Sequence, residues 1–205
     1  MASKVKLTGK YASMANRMLK EVTALLYKYE IPYVLEAGTL LGIVRENRLL
    51  PWDNDVDITI TSNNLDTLLK NRWKFYLKGY RLRLRKYRQD TGPFKKGMVR
   101  LVKVSLLRFY LIKRVNLLDI FVKYPFNDEY LWTLGNKKSV LKGVPKKFYD
   151  NRTEIEYQNR KYTVPQDYEG YLEYHYGDWR TPVKEWNFWT DDKCVKEIFH
   201  DRKKN

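Results

Sequence analysis

The sequence has one cysteine, Cys194, and two histidines, His175 and His200, in 205 residues. A single thiol can close no internal disulfide and build no cysteine-rich zinc centre, and two histidines leave little scope for imidazole-based metal chemistry. No repeat, low-complexity segment or Pro/Gly/Ser-rich linker divides the chain. The most apolar stretch, Met98 to Val122, is interrupted by Arg100, Lys103, Arg108, Lys113, Arg114 and Asp119, so no uncharged run reaches the ~18 residues that a membrane span needs. Met1-Ala2-Ser3-Lys4-Val5-Lys6 has no apolar leader core, and Ala2 stands where N-myristoylation requires glycine. These absences lead to the expectation of a cytoplasmic protein with no membrane span.

What is present is core material and positive charge. Hydrophobic residues make up 43% and aromatics 15%, too much for a disordered chain. The length predicts one domain over 1–205, with a core at about 11–125 and a C-terminal extension at about 126–205. Forty lysines and arginines against 24 acids give a net charge of +16. Almost all of the excess lies in residues 71–114, which hold fifteen basic residues and one acid, Asp90. So basic a segment is either a solvated face or a surface for a polyanion: nucleic acid, an anionic membrane or a phosphorylated substrate.

Periodicity orders the chain. Met14, Met18, Val22, Leu25, Leu26 and Tyr29 predict an amphipathic helix over Tyr11–Tyr29. Short elements follow: a strand at Tyr33–Leu35, a helix at Thr39–Arg45, a strand at Asp55–Thr61 and a helix at Leu65–Leu77 capped by Ser62-Asn63-Asn64. Tyr80–Tyr87 alternates, with Leu82 and Leu84 on one face and Arg81, Arg83 and Arg85 on the other, and Met98–Leu106 reads as its hairpin partner. Leu117–Val122 is a further strand. Glu154–Tyr157 and Lys161–Val164 predict a hairpin, Pro165–Tyr176 a helix stopped by Gly177, and the aromatic segment Trp179–Trp189 is expected to pack on the body. His175 reads as a packing histidine, His200 as solvated and Cys194 as without a role.

The chemistry concentrates in Pro51-Trp52-Asp53-Asn54-Asp55-Val56-Asp57-Ile58. On a strand Asp55 and Asp57 share a face, roughly 6.5–7 Å apart, while Val56, Ile58 and Ile60 face a core. Carboxylates that close repel each other and suit a shared divalent cation; an oxygen-only set favours Mg²⁺ or Mn²⁺. Asp119, alone in the apolar Leu117–Val122, needs a partner: Lys103 or Arg100 as a neutralising cation, or Asp55 and Asp57 in a three-carboxylate metal site. Trp52 reads as packing rather than base stacking.

Gly38-Thr39-Leu40-Leu41-Gly42, then Arg45, then Pro51-Trp52-Asp53-x-Asp55-x-Asp57-Ile58 resembles the LicD family, with its fukutin-type members, of the nucleotidyltransferase superfamily. Leu118-Asp119-Ile120-Phe121, Val164-Pro165-Gln166-Asp167-Tyr168 and Tyr176-Gly177-Asp178-Trp179 extend the likeness over roughly Tyr27 to Trp186. The resemblance implies an α/β (α+β) fold, a mixed sheet flanked by helices, with a small C-terminal hairpin and helix. It implies transfer of a phosphorylated alcohol, such as phosphocholine or a polyol phosphate, from a CDP-linked donor to a sugar hydroxyl of a glycan or glycoconjugate, with CMP leaving. Asp55, Asp57 and Asp119 would then be catalytic and hold Mg²⁺ or Mn²⁺. Gly38 and Thr39 would meet the diphosphate, Arg45 would pair with a phosphate or with Asp53, and Arg81, Arg83 and Arg85 would face the phosphorylated donor or an anionic acceptor. Two other readings stand beside this one: nucleotidyl transfer from an NTP to a nucleic acid or small molecule, and a non-catalytic basic binding module.

Overall fold

The structure, a computed structural model, describes residues 5–108, 113–135, 138–183, 187 and 189–200. Helix α1 (Gly9–Lys28) buries Met18, Leu19, Val22, Leu25 and Leu26 on one face, as their spacing requires. Pro32 then precedes β1 (Val34–Leu35). The backbone turns sharply at Ala37, whose φ of 46° lies in the left-handed region, and enters α2 (Ala37–Glu46). Strand β2 (Val56–Thr61) points Val56, Ile58 and Ile60 into the core.

The helix expected over Leu65–Leu77 is two short ones, α3 (Leu65–Lys70) and α4 (Arg72–Leu77). Asn71 separates them: its backbone leaves the helical region at φ −91°, ψ 1°, and its side-chain Nδ2 donates to the Thr67 carbonyl, which its own amide also bonds. Ser62-Asn63-Asn64 forms a 3₁₀ turn and supplies no side-chain cap to α3.

The remaining elements are β3 (Tyr80–Lys86), β4 (Val99–Arg108), β5 (Lys113–Phe126), β6 (Glu129–Leu134), β7 (Lys138–Pro145), α5 (Lys147–Asp150), β8 (Arg152–Glu156), β9 (Lys161–Pro165), α6 (Tyr168–Tyr176) and β10 (Val195–His200). The main sheet runs β1-β2-β5-β6-β7-β10, with β4 also on β5 and β3 on β4; β8 and β9 form a separate hairpin. Pairing of β2 with β5 is parallel and its neighbours are antiparallel, so the sheet is mixed, as expected.

The C-terminal region therefore holds more than a hairpin and a helix, since β6, β7 and β10 extend the main sheet. Residues 130–133 of β6 are all buried, so that strand shows no polar alternation to read. Helix α6 starts later than expected, at Tyr168, where Asp167 caps it by accepting from the Gly170 amide. One face of the sheet carries Leu82, Val102, Val104, Leu118, Ile120 and Ile58 and packs beneath α1 and α4. The Tyr80 hydroxyl donates to Glu21 of α1 at 2.6 Å across that interface. The other face carries the polar groups described next. Among the described residues no helix is long and apolar enough to cross a membrane. Trp179 is buried as expected, whereas Trp186 and the side chain of His200 lie outside the described residues.

Candidate active site

Strand register assembles the site. Parallel pairing sets Asp57 of β2 beside Asp119 of β5; antiparallel pairing sets Asp119 beside Lys103 of β4, and Lys103 beside Arg83 of β3. Paired residues share a face, so Asp57, Asp119, Lys103 and Arg83 form one row across four strands. Asp55 lies two residues before Asp57 on the same side. One carboxylate oxygen from each of Asp55, Asp57 and Asp119 lies within 4.8 Å of the other two.

Asp119 meets Lys103 and also lies close to Asp55 and Asp57. Its Oδ2 accepts from Lys103 Nζ at 2.6 Å, and its Oδ1 is buried without a hydrogen-bond partner. Burial pushes all three carboxyls up, and mutual repulsion adds to it. Asp55 rises to about 7, with Asp119 and Asp53 adding to burial, and Asp57 lies well above the usual carboxylate range. For Asp119, burial is opposed by Lys103 and the net direction is still upward. Three carboxylates facing one ammonium leave uncompensated negative charge, and one buried oxygen has no donor. An oxygen-only donor set of this kind fits a divalent cation such as Mg²⁺ or Mn²⁺.

The start of α2 holds this centre in place. The Asp57 amide donates to Thr39 Oγ1 at 2.8 Å, and the Glu36 amide donates to the Asp57 carbonyl at 3.0 Å. Thr39 is buried, its amide bonds the Glu36 carbonyl, and its hydroxyl tethers β2. Gly38 also lets the Asp53 carboxylate approach α2: a Cβ there would lie 2.2 Å from Asp53 Oδ2. Arg45 does not pair with Asp53. Its Nη2 bonds Glu46 at 2.8 Å and its Nη1 the Trp179 carbonyl at 3.2 Å, so it braces α2 against the loop after α6.

A cavity of about 430 Å³ opens beside the carboxylates. It is lined by Ala37, Gly38, Asp53 and Asp57, by Trp132, Lys142, His175 and Asp192, and by Arg45, Tyr176 and Trp179. Trp52 is on the rim and 52% exposed, which corrects the packing expectation. In the first turn of α2 the Thr39 amide is taken by the Glu36 carbonyl, which leaves the amides of Ala37 and Gly38, and together with the helix dipole these favour an anion there. Arg81, Arg83 and Arg85 share the carboxylates' sheet face but lie outside the cavity.

Beneath the cavity is a buried polar network that the sequence reading passed over. Glu36, 3% exposed, accepts from Thr59 Oγ1 at 2.6 Å, Lys123 Nζ at 2.9 Å and Tyr149 OH at 2.9 Å, and also from Tyr171 OH. Burial alone would raise this carboxyl, but Lys123, His175 and the hydroxyls outweigh it and hold it at about 2. Lys123 Nζ also sits 3.4 Å from the centroid of the Trp132 ring. Alongside, Asp192 accepts from Lys142 and lies 3.2 Å from His175 Nδ1. His175 is buried, as expected, but it lines the cavity and its Nε2 has no hydrogen-bond partner. Lys123 was findable: like Asp119, it is a charged residue in an apolar strand.

Residues 30–167 match the family described as LicD/FKTN/FKRP, nucleotidyltransferase domain. The chain belongs to this family. Its matched residues include Gly38, Asp55, Asp57 and Asp119, so the LicD-family domain carries the whole carboxylate centre. Among curated relatives, protein RP689 of Rickettsia prowazekii is 29% identical over 130 residues, 63% of this chain and 41% of that one. The human ribitol-5-phosphate transferase FKTN is 26% identical over 181 residues, 87% of this chain and 36% of FKTN. The lipopolysaccharide cholinephosphotransferase LicD of Haemophilus influenzae is 46% identical over 35 residues, 17% of this chain and 13% of that protein. The chain thus spans about two-fifths or less of the length of these relatives.

Proposed function

We propose that this LicD-family domain is a metal-dependent phosphotransferase. It moves a phosphorylated alcohol, of the phosphocholine or polyol phosphate type, from a CDP-linked donor to a sugar hydroxyl of a glycan or glycoconjugate and releases CMP. The convergence of Asp55, Asp57 and Asp119 within 4.8 Å, with Asp57 lining the cavity, carries the reading. The names of two relatives, a ribitol-5-phosphate transferase and a cholinephosphotransferase, support the reaction type.

The residues divide the work as follows. Asp55 and Asp57 would hold Mg²⁺ or Mn²⁺, which would supply charge neutralisation for the donor's phosphates and the leaving oxygen. Gly38 and Ala37 present the opening turn of α2 to the diphosphate. The acceptor's hydroxyl oxygen attacks the phosphorus that bears the alcohol, the bond from that phosphorus to the bridging oxygen breaks, and CMP departs with that oxygen. The unpartnered Asp119 Oδ1 takes the hydroxyl proton, and Lys103 on Oδ2 keeps the carboxylate oriented.

Thermal shift in Mg²⁺ with CDP, CTP and ATP tests donor identity. CDP is expected to raise the melting temperature and ATP to leave it unchanged; a large shift with ATP and none with CDP would contradict the reading. Gly38→Ala is a second test. Its methyl group displaces the Asp53 carboxylate, so turnover of a CDP-alcohol should fall by about a hundredfold while circular dichroism stays native. Turnover within twofold of the parent would show that this approach of Asp53 to α2 is dispensable.

A further inference from the structure

The outer face of α4 is apolar where a surface helix is ordinarily polar. Phe75 is buried and satisfies the core, yet Trp73, Tyr76 and Leu77 are 52%, 52% and 71% exposed. Residues three and four apart are neighbours on a helix, so these three form one contiguous outward stripe. At about 100° per residue, Arg72 borders the stripe on one side and Lys74 on the other. Lys78 stands just past the C-terminal end of α4, and Lys70, the last residue of α3, adds a fourth cation. Residues 70–78 contain no acid. None of the four cations forms an ion pair among the described residues, and Lys74 Nζ sits 3.7 Å from the centroid of the Trp73 ring.

Single exposed apolar side chains are ordinary, but a stripe of three bordered by cations is an interaction surface. Its chemistry selects the partner. A nucleic-acid backbone would use the cations and leave Leu77 in water. An acidic protein would need a matching pocket for each side chain that protrudes this far. The headgroup layer of a bilayer moulds around protruding groups: Trp and Tyr rings settle at its level, leucine enters the acyl boundary, and Lys and Arg stems lie along the apolar part with their charges at the lipid phosphates. An anionic leaflet also supplies the negative charge that this segment lacks. Helix α4 packs on β3, on the sheet face opposite the carboxylates, so docking through α4 turns the carboxylate face away from the bilayer.

We propose that the outer face of α4 is a peripheral membrane-docking surface, where Trp73, Tyr76 and Leu77 enter the headgroup layer of an anionic bilayer and Lys70, Arg72, Lys74 and Lys78 meet its phosphates. The surface is separate from the cavity and does not rest on the phosphotransferase reading.

The test is cosedimentation of the full chain with vesicles of phosphatidylcholine and phosphatidylglycerol in equal parts, beside vesicles of phosphatidylcholine alone. The parent is expected to bind the mixed vesicles, less tightly as salt rises, and to bind the neutral ones weakly. Trp73→Gln/Tyr76→Gln/Leu77→Gln and Arg72→Gln/Lys74→Gln/Lys78→Gln should each lose at least about tenfold in affinity with circular dichroism unchanged. Arg81→Gln/Arg83→Gln/Arg85→Gln removes the same charge from the other face of the sheet and should stay within about threefold. Quenching of tryptophan emission by brominated lipid needs no triple variant. Trp73→Phe should lose most of that quenching, whereas Trp52→Phe, at the exposed rim of the cavity, should keep it. No binding by the parent would remove the surface. Loss in the α4 charge variant alone, or equal loss in the β3 variant, would reduce it to a general attraction for polyanions. Quenching lost through Trp52 instead would put the cavity rim at the bilayer. A lipid-free parent that sediments as a dimer, with the apolar variant a monomer, would make the stripe a contact between copies. Each of these results overturns the proposal.

Discussion

Asp57→Asn is expected to abolish turnover and, in EDTA, to raise the melting temperature. The two effects have one cause. Asp57 sits among Asp55, Asp119 and Asp53, and burial plus these neighbours drives its carboxyl well above the ordinary range. Without a cation the cluster is a local liability, and an amide of the same shape relieves it. About 1 kcal/mol of relieved repulsion moves the melting temperature by roughly 2–4 °C in a chain of this size. Turnover should drop by about a thousandfold or more, because positioning a divalent ion against the donor's phosphates is worth several kcal/mol in the transition state. Adding Mg²⁺ should stabilise the parent and not the variant. A variant less stable than the parent in EDTA would mean that the carboxylates are held by compensating contacts, and that their repulsion is not the dominant local force.

Glu36→Ala is expected to be the most destabilising single substitution in the site region. It leaves the Lys123 ammonium, 0% exposed, without its carboxylate and strips the acceptor from Thr59, Tyr149 and Tyr171. Breaking one side of a buried ion pair costs about 3–5 kcal/mol. Urea denaturation should record that loss, and Glu36→Ala/Lys123→Met should recover part of it, since the double change removes both charges. Acid should reproduce the effect. The folded-state carboxyl is held near 2, below its ordinary 4.5, so its stabilisation is fully present above about 4.5 and drains away as pH falls toward 2. The parent's stability should decline over that window, and the double variant's should decline less. If Glu36→Ala cost under about 1 kcal/mol, the pair would not be bearing on the fold as its burial implies.

The carboxylate centre was legible in the sequence because two features survive without coordinates. Alternation from Asp55 to Ile60 assigns Asp55 and Asp57 to the polar face, and a lone acid in Leu117–Val122 demands a partner. Register was not legible: that Asp119 falls beside Asp57 depends on a parallel pairing between strands more than fifty residues apart, and that Lys103 falls beside Asp119 depends on the antiparallel register of β4 on β5. Glu36 was missed because it sits between a two-residue strand and a helix, where a glutamate reads as solvated. Its burial follows from Lys123, Tyr149 and Tyr171, which arrive from three distant elements. Strand β6 was missed for the opposite reason, since Tyr130-Leu131-Trp132-Thr133 is buried throughout and carries no period. The Arg81, Arg83 and Arg85 row was visible from alternation, while its position on the site's own face required the β3–β4–β5 register.

The most direct test of the account is product analysis by mass spectrometry after incubation with CDP-ribitol, CDP-choline, CTP and ATP, each with Mg²⁺ or EDTA and a phosphodiester-linked glycan acceptor. The account predicts CMP released from a CDP-alcohol, an acceptor heavier by one phosphorylated alcohol, and neither product in EDTA or with Asp57→Asn. Pyrophosphate released from CTP or ATP, with a nucleotide joined to the acceptor and no CMP from any CDP-alcohol, would contradict it.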